Sequence, residues 1–372
     1  MKIGAVILAA GLSSRMGAFK PLLELGGKTM LAHGIDVFRG CGIKSILVVA
    51  GHRGEEVQTE AQRLGVRCCH NPDFARGILS SVQVAVGNLP KLDGFFLLPV
   101  DIPLVRPVTV TALRAAFERK KVVCPRFGEL RGHPPLIPAR LFPEILRYDG
   151  NGGLDGLLGR QSKTLPVWDR GILLDADTAD DLVVLERRWS RLAIGDPEEA
   201  LALASLTMPL GGLAHGRATA RVAVAIGRRL QQHGHELDLD LIFNAALLHD
   251  IAKGTAPHEL RGGRLLKELG LGDLADIVAA HRDIAPPVSG SLTEKEVVGL
   301  ADKLVRGSQP VTVQERFADK LARYGTNQKA CRAIRTRLEK ALALQEEVER
   351  RIGTRIEDIL LSIRVQEEQG GA

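Results

Sequence analysis

The hydrophobic pattern of this chain changes period once, and that change limits its possible folds more than any other feature. Up to about residue 188, short apolar runs alternate with amphipathic stretches. Strands are predicted at Lys2–Ala9, Ser45–Val49, Gly94–Pro99 and Val122–Cys124, and helices at Thr29–Cys41, Gly54–Leu64, Ser80–Val86 and Val108–Arg119. Apolar strands separated by amphipathic helices imply an α/β domain, its mostly parallel sheet covered on both faces. From His215 onward the period is helical almost throughout. Helices are predicted at Gly216–His233, Leu239–Lys253, Leu260–Leu269, Leu274–Ala280 and Thr293–Arg306, then in a Lys- and Glu-rich tail from Val313 to Glu367 broken at Gly325 and Gly353. Two periods need two cores, and 372 residues with 45% apolar content suffice for both. The predicted organisation is an α/β domain over 1–188, an Ala/Leu-rich linker helix within 189–210, and an all-α domain with a helical tail over 211–372. The Gly- and Pro-rich interval 127–167 reads as a substrate-facing excursion from the first domain.

Lys and Arg exceed Asp and Glu by 50 to 44, a formal charge of +6. So mild an excess suits small polyanions such as nucleotides and argues against nucleic acid as a partner. Aromatic content of 4% leaves little for base-stacking platforms. The five cysteines, Cys41, Cys68, Cys69, Cys124 and Cys331, are odd in number and contain no CxxC pair, which argues against a disulfide scaffold or structural zinc site. Cys68 and Cys69 fit a strand as small apolar residues. The run Ile3–Ala10 is too short for a signal-peptide core, and no apolar stretch is long enough to span a bilayer, so a cytoplasmic location with no membrane partner is expected.

Where the first predicted strand ends, the chain continues Leu8-Ala9-Ala10-Gly11-Leu12-Ser13-Ser14-Arg15-Met16-Gly17 and on to Lys20. Such a small, glycine- and hydroxyl-bearing loop can wrap a triphosphate and point backbone N–H groups at its oxygens. Arg15 and Lys20 would oppose the β- and γ-phosphates and the departing pyrophosphate. The loop is neither GxxxxGKS/T nor GxGxxG, so the common ATPase and dinucleotide readings do not apply. Asp101 closes the apolar run from Phe95 to Val100, at the carboxyl end of a central strand, where it can hold Mg²⁺ against the α-phosphate. It can equally cap a helix or turn. A partner carboxylate is expected in Asp175-Ala176-Asp177-Thr178: Asp175 is favoured as the ligand, with Asp177, Asp180 and Asp181 left as caps of the following helix.

The stretch LAAGLSSRMGAFKPLL resembles the signature LAAGxSxRMGxxKxLL of the MobA-like nucleotidyltransferases. The resemblance covers about half the chain and implies a three-layer α/β fold that moves a nucleoside monophosphate from an NTP to a phosphate acceptor. Ala10 resembles the molybdenum-cofactor cytidylyltransferase branch, which implies CTP. Asp101 in PVDIPLV matches the family's metal aspartate. Asn71-Pro72 with Gly77, Ser80 and Ser81 resembles its base- and sugar-side segment, Arg131–Leu136 its GxPxxF loop, and Asp175–Thr178 its closing DxDT element. Leu8, Ala10, Gly11, Ser13, Ser14, Arg15, Gly17 and Lys20 are then the phosphate-side contacts. Asn151-Gly152-Gly153-Leu154 departs from the GDxGxR-like stretch of the cytidylyltransferases, lacking its arginine and acidic residue. The acceptor therefore stays open between molybdopterin, a sugar phosphate and a small-alcohol phosphate. Molybdopterin would bring molybdoenzyme maturation proteins as partners.

The second constellation is His215, His249-Asp250, His258, His281 and Asp302. Adjacent His and Asp in so apolar a run as Ala245–Ala252 are costly to bury without a partner. Imidazole and carboxylate together suit Mn²⁺, Fe²⁺ or Zn²⁺. His215, His249, Asp250 and Asp302 can converge from three helices on one ion, with His258 and His281 completing a second and Asp250 bridging. Lys253 can reach a scissile phosphate or simply complement its helix end. His52, His70, His233 and His235 lack such surroundings. The series resembles the HD-domain metal-dependent phosphohydrolases, His258 and His281 being the extra pair of two-metal members. HDIAK with ADKLVRG is most similar to the subgroup acting on dinucleoside polyphosphates. The leading expectation is a bifunctional enzyme. The alternatives are a transferase for a sugar or small-alcohol phosphate regulated by a nucleotide-sensing HD half, and an RNA-processing nucleotidyltransferase. The long tail also leaves room for an oligomer contact.

Overall fold

The computed structural model describes residues 1–12, 17–287 and 290–370, with side chains of the last helix described to 365. The chain divides into two compact units, Met1–Ser190 and Arg191–Ala372. Beside a small ribbon of Glu24–Leu25 and Lys28–Thr29, the first has eight strands in its main sheet: β1 Ile3–Ala9, β2 Ser45–Ala50, β3 Arg67–His70, β4 Gly94–Pro99, β5 Val122–Phe127, β6 Leu130–Arg131, β7 Leu136–Pro138 and β8 Ser162–Pro166. They form one sheet in the order β8-β5-β7-β4-β1-β2-β3, with β6 paired to β5. The pairs β1–β2, β1–β4, β2–β3 and β5–β8 are parallel, whereas β7 runs antiparallel to both β4 and β5. The central strands β1 and β4 are almost fully buried, as their unbroken apolar sequences require.

The helices of this unit are α1 Met30–Gly40, α2 Gly54–Arg63, α3 Ile78–Asn88, α4 Pro107–Ala115, α5 Phe142–Arg147, α6 Gly153–Leu158 and α7 Ala179–Ser190. Strand order runs outward from β1 to β2 and β3 on one side and to β4 on the other. The crevice between β1 and β4 is therefore a topological switch point, where open parallel sheets bind ligands. The interval 127–167, expected as an excursion, instead supplies β7 and β8 to the sheet and two short helices. Gly128, Gly150 and Gly152 sit in the connections, whereas Pro138, Pro143 and Pro166 lie within β7, α5 and β8.

The second unit is nearly all helical: α8 Pro197–Thr207, α9 Leu210–Gln232, α10 Leu239–Leu248, α11 His258–Glu268, α12 Gly272–Ala280, α13 Glu294–Lys303, α14 Val313–Arg323, α15 Gln328–Ile352 and α16 Ile356–Gly370. The segment expected as a linker packs within this unit: Ala200, Leu203 and Ala204 of α8 are buried, and Asn244 of α10 donates to the Ile194 and Gly195 carbonyls. Aspartate and glutamate form a capping box at the start of α8, and Thr–Glu boxes start α13 and α14. The breaks predicted in the tail fall at Gly325, after α14, and at Gly353, which ends α15 with φ +62°. No helix among the described residues is long and apolar enough to cross a membrane.

Candidate functional site

Chemistry-bearing residues gather at two places, one in each unit. In the first unit, Leu8, Ala10, Gly11, Lys20, Gly77 and Asp101 line a cavity of about 260 Å³ together with Phe74, Ile78 and Ser81. Leu8 is the next-to-last residue of β1, Asp101 follows β4, and Val100 N–H donates to the Leu8 carbonyl at 3.0 Å, holding the two strand ends side by side. Gly77 has φ +94°, which a side-chain-bearing residue rarely adopts, so glycine is needed to turn the chain into α3. Ser13, Ser14 and Arg15 lie outside the described residues. Gly17, beyond them, has φ +67°.

Lys20 is the hub of this crevice. Its Nζ donates to Asp177 Oδ1 at 2.6 Å and to Asp101 Oδ2 at 3.1 Å. Burial alone would lower the Lys20 pKa, but these two carboxylates raise it, so the ammonium is held charged. Asp101 also ties the closing element in place, its carbonyl accepting from Ala176 N–H at 2.9 Å. At Lys20 the partner of Asp101 is Asp177, not the Asp175 favoured from sequence. Asp181 caps the following helix by accepting from the N–H groups of Asp177 and Thr178, which leaves the Asp177 carboxylate facing Lys20. Asp175 does not join Asp101 on Lys20. Its pKa is raised by burial and by the charges of Asp177 and Asp101. Two carboxylates on one ammonium, with a third close enough to feel their charge, are a donor set that fits a divalent cation.

Asn71 and Ser80, expected to touch the nucleotide, are used inside the protein. Buried Asn71 donates to Ser80 Oγ and Ser81 Oγ at 3.0 and 2.9 Å, and Ser80 donates to the carbonyls of Asp73 and Gly77. They brace the Asp73–Gly77 turn, while the neighbouring Ser81 borders the cavity.

In the second unit all six predicted ligands converge. His215 comes from α9, His249 and Asp250 follow α10, His258 opens α11, His281 follows α12, and Asp302 lies near the end of α13. Candidate ligand atoms of His215, His249 and Asp302 lie within 4.8 Å of one another, as do those of His249, Asp250 and His281. His258 Nε2 is 3.4 Å from Asp250 Oδ1. The close approach of α9 and α10 depends on Gly216, where a Cβ would strike the Leu247 carbonyl.

The imidazoles are oriented from behind. Nδ1 of His215 lies 2.9 Å from the Gly307 carbonyl, that of His249 2.8 Å from the Ala246 carbonyl, and that of His281 2.6 Å from the Val278 carbonyl. Because a carbonyl only accepts, each Nδ1 carries its proton and each Nε2 faces inward. His249 Nε2 is buried, 3.5 Å from both Asp250 Oδ2 and Asp302 Oδ1, and hydrogen-bonded to neither. An orphaned buried nitrogen between two buried carboxylates fits a divalent cation better than it fits the protein alone. Burial pushes His249 down, but Asp250 and Asp302 outweigh it and raise its pKa to about 9. Burial favours neutral Asp302, yet Lys303, His215 and His249 hold it well below the usual carboxylate range. Burial together with the neighbouring His249 pushes His281 down to about 4. Lys253 Nζ donates to Asp250 Oδ2 at 2.6 Å while its stem is largely exposed.

A family model described as the MobA-like NTP transferase domain matches residues 5–165. The molybdenum cofactor cytidylyltransferase of Escherichia coli is 30% identical over 195 residues, which cover 51% of this chain and 98% of that enzyme. The chain belongs to the MobA-like NTP transferase family. A second model, the HD domain, matches residues 212–307. The bifunctional IPC transferase and DIPP synthase of Rubrobacter xylanophilus is 42% identical over 95 residues, only 24% of this chain and 22% of that protein. The crystal structure of Rv0371c from Mycobacterium tuberculosis is 29% identical, covering 50% of this chain and 98% of that one, with a TM-score of 0.45.

This MobA-like transferase is thus an enzyme that uses an NTP and a divalent metal, and it carries an HD domain on the same chain. Sequence reasoning missed Gly216, and it named Ser81 and Asp177 only as a member of a matched segment and as a helix cap. A period-two argument places Asp175 and Asp177 on one face of a strand but cannot choose between them. The signal that could have chosen was Thr178-x-x-Asp181, a helix-start pattern that claims Asp181 as the cap.

Proposed function

We propose that the MobA-like unit transfers CMP from CTP to a phosphorylated acceptor, molybdopterin being the leading candidate, and that the HD unit hydrolyses a phosphoester or phosphoanhydride. The observation that carries the first half is Lys20 held between Asp101 and Asp177 at the mouth of the β1/β4 crevice. The glycine-bearing sequence from Ala10 to Gly17, including Ser13, Ser14 and Arg15, would bind the triphosphate. The charged Lys20 ammonium offsets the negative charge that builds on the departing pyrophosphate. An acceptor phosphate oxygen forms a bond to the α-phosphorus as the α–β bridging bond breaks, its electron pair leaving with pyrophosphate. Mg²⁺ bound by Asp101 and Asp177 would supply charge compensation at the α-phosphate. The name of the Escherichia coli relative supports CTP and molybdopterin, and Phe74 and Ile78 give the cavity an apolar wall suited to a base.

In the HD unit, His215, His249, Asp250 and Asp302 would hold one ion, and His258 and His281, with Asp250 shared, a second. Mn²⁺, Fe²⁺ or Zn²⁺ at these places would polarise the phosphate and activate water. Lys253, fixed on Asp250, presents a cation to the phosphate oxygens. The inward Nε2 set supports turnover rather than mere sensing, because the ligands are oriented before any phosphate arrives.

The test is a matched screen of each NTP against molybdopterin, sugar phosphates and small-alcohol phosphates, read as pyrophosphate release. The expected result is release with CTP and molybdopterin and none above background in Asp101→Asn. Release with another base or acceptor alone would overturn the CTP–molybdopterin reading while leaving the reaction class intact.

A further inference from the structure

The HD cavity extends well past its metal ligands, and its outer wall comes from helices beyond the family match. The cavity measures about 540 Å³, within the roughly 300–1,000 Å³ of small-molecule pockets, and far more than a lone phosphate needs. Seven cationic side chains line it against two carboxylates, Asp250 and Asp302. Arg316, Lys320 and Arg323 stand at i, i+4 and i+7 on one face of α14, and Arg337 of α15 joins them. Like charges at i, i+4 weaken a helix, so this face costs stability unless an anion meets it.

The wall is also under-satisfied. The Arg316 Nε is buried without a hydrogen-bond partner, although Nη2 of the same side chain is 3.8 Å from Asp302 Oδ1. The Lys320 ammonium packs over the Phe317 ring and has no hydrogen bond or ion pair among the described residues. Burial, then Arg316, Lys303 and Arg337, push its pKa down to about 8, Asp302 only partly opposing them. By contrast, Arg337 and Arg282 are already paired with Asp283 and Glu259. An adjoining cavity of about 480 Å³ shares Arg282, Lys320, Tyr324 and Arg337 and continues along α15 past Ala333 and Ile334.

We propose that the HD cavity takes a phosphoanhydride-linked polyphosphate, with Arg316 and Lys320 gripping the phosphate beyond the scissile bond. The proposal rests on the hydrolytic reading of the histidine cage and adds residues outside the matched HD region as determinants of specificity. In the reaction, a water oxygen bonds to the scissile phosphorus and the bridging P–O bond breaks. Its electron pair stays on the distal phosphate, where Arg316 and Lys320 offset the new charge. One water proton remains on the new P–OH and the other ends on the departing phosphate. Such a chain has two sources: inorganic pyrophosphate, which nucleotidyl transfer releases, or a nucleoside polyphosphate whose base occupies the adjoining cavity near Tyr324.

The test is calorimetry on the full-length chain with divalent ions chelated, in a Lys20→Ala background that removes polyphosphate binding at the transferase crevice. Arg316→Gln with Lys320→Gln should weaken inorganic tripolyphosphate by at least about tenfold and orthophosphate by less than about threefold. Lys320→Met alone should reproduce part of the loss. Its melting temperature should not fall, since it relieves like-charge crowding, so a folded protein is available either way. Equal binding of tripolyphosphate and orthophosphate, or an unchanged double variant, overturns the proposal. Failure of the underlying reading looks different: tripolyphosphate binding would still depend on Arg316 and Lys320, yet the Mn²⁺-loaded chain would release no phosphate from any ester or anhydride. Pyrophosphate and ATP arms separate the sources, since a base in the adjoining cavity makes ATP bind more tightly than tripolyphosphate.

Discussion

The two constellations offer a cation its donors by opposite means. At the β1/β4 crevice, carboxylates do the holding and a lysine of the same chain sits among them, so Asp101 and Asp177 are pre-arranged by an ammonium. In the helical unit, imidazole nitrogens are offered instead, those of His215, His249 and His281 each fixed from behind by a backbone carbonyl. The first arrangement is adjustable, because Lys20 has a long stem and its partners lie in connecting segments. The second is stiff, because its ligands sit at helix ends locked by packing such as that at Gly216. Adjustable carboxylates suit Mg²⁺, which is bound together with its substrate phosphates, whereas stiff imidazoles suit a resident transition ion.

The sharpest way to break this comparison is to disable one centre and assay both. Asp250→Asn should lower metal-dependent phosphate release by roughly 10³-fold or more and leave pyrophosphate release within about twofold. Asp101→Asn should do the reverse. Loss of both activities from one change in a folded protein would mean that the centres are not independent.

A smaller effect tests the stiffness of the helical centre. Gly216→Ala pushes α9 away from Leu247 and should destabilise the second unit by about 1–3 kcal/mol in chemical denaturation. It should also lower bound metal per chain measured by elemental analysis. Unchanged metal content would show that the cage tolerates helix movement.

The smallest effect is in proton linkage. With His249 raised to about 9, a cation entering beside it must displace a proton at neutral pH, whereas His281, lowered to about 4, is already neutral. Metal affinity should therefore rise by about tenfold per pH unit between pH 7 and 8 and level off above 9. In chelator the sign reverses for stability. A raised His249 stabilises the fold fully below its ordinary value of 6.5 and loses that contribution as pH rises towards 9. Calorimetry in buffers of different ionisation enthalpy reads the released proton directly, and no release at pH 7 would contradict the raised value.

The two centres also differ in how legible they were. The glycine loop, Lys20 and Asp101 lie at strand ends marked by continuous apolar runs, so one-dimensional reasoning located them. The His and Asp residues stood out because ionisable pairs are costly inside apolar helices. Three-dimensional packing hid the rest. Asn71 and Ser80 are polar residues of the right type that brace a turn, while Ser81 reaches the cavity. Arg316, Lys320 and Arg337 come from Lys- and Glu-rich helices whose composition resembles any solvated surface. Only folding shows that α14 turns one basic face towards Asp302. The linker expectation failed for a similar reason: an Ala/Leu-rich helix is equally suited to spanning a gap or to lying on a neighbour, and α8 lies within the second unit.

His249 and His281 occupy the residues where α10 and α12 stop, and each ring donates to a last-turn carbonyl of its own helix, Ala246 and Val278. Coordination chemistry and helix termination are consequently one event. Occupancy by an ion should suppress end-fraying of both segments and slow amide exchange in their final turns, and stripping it should loosen the same turns first.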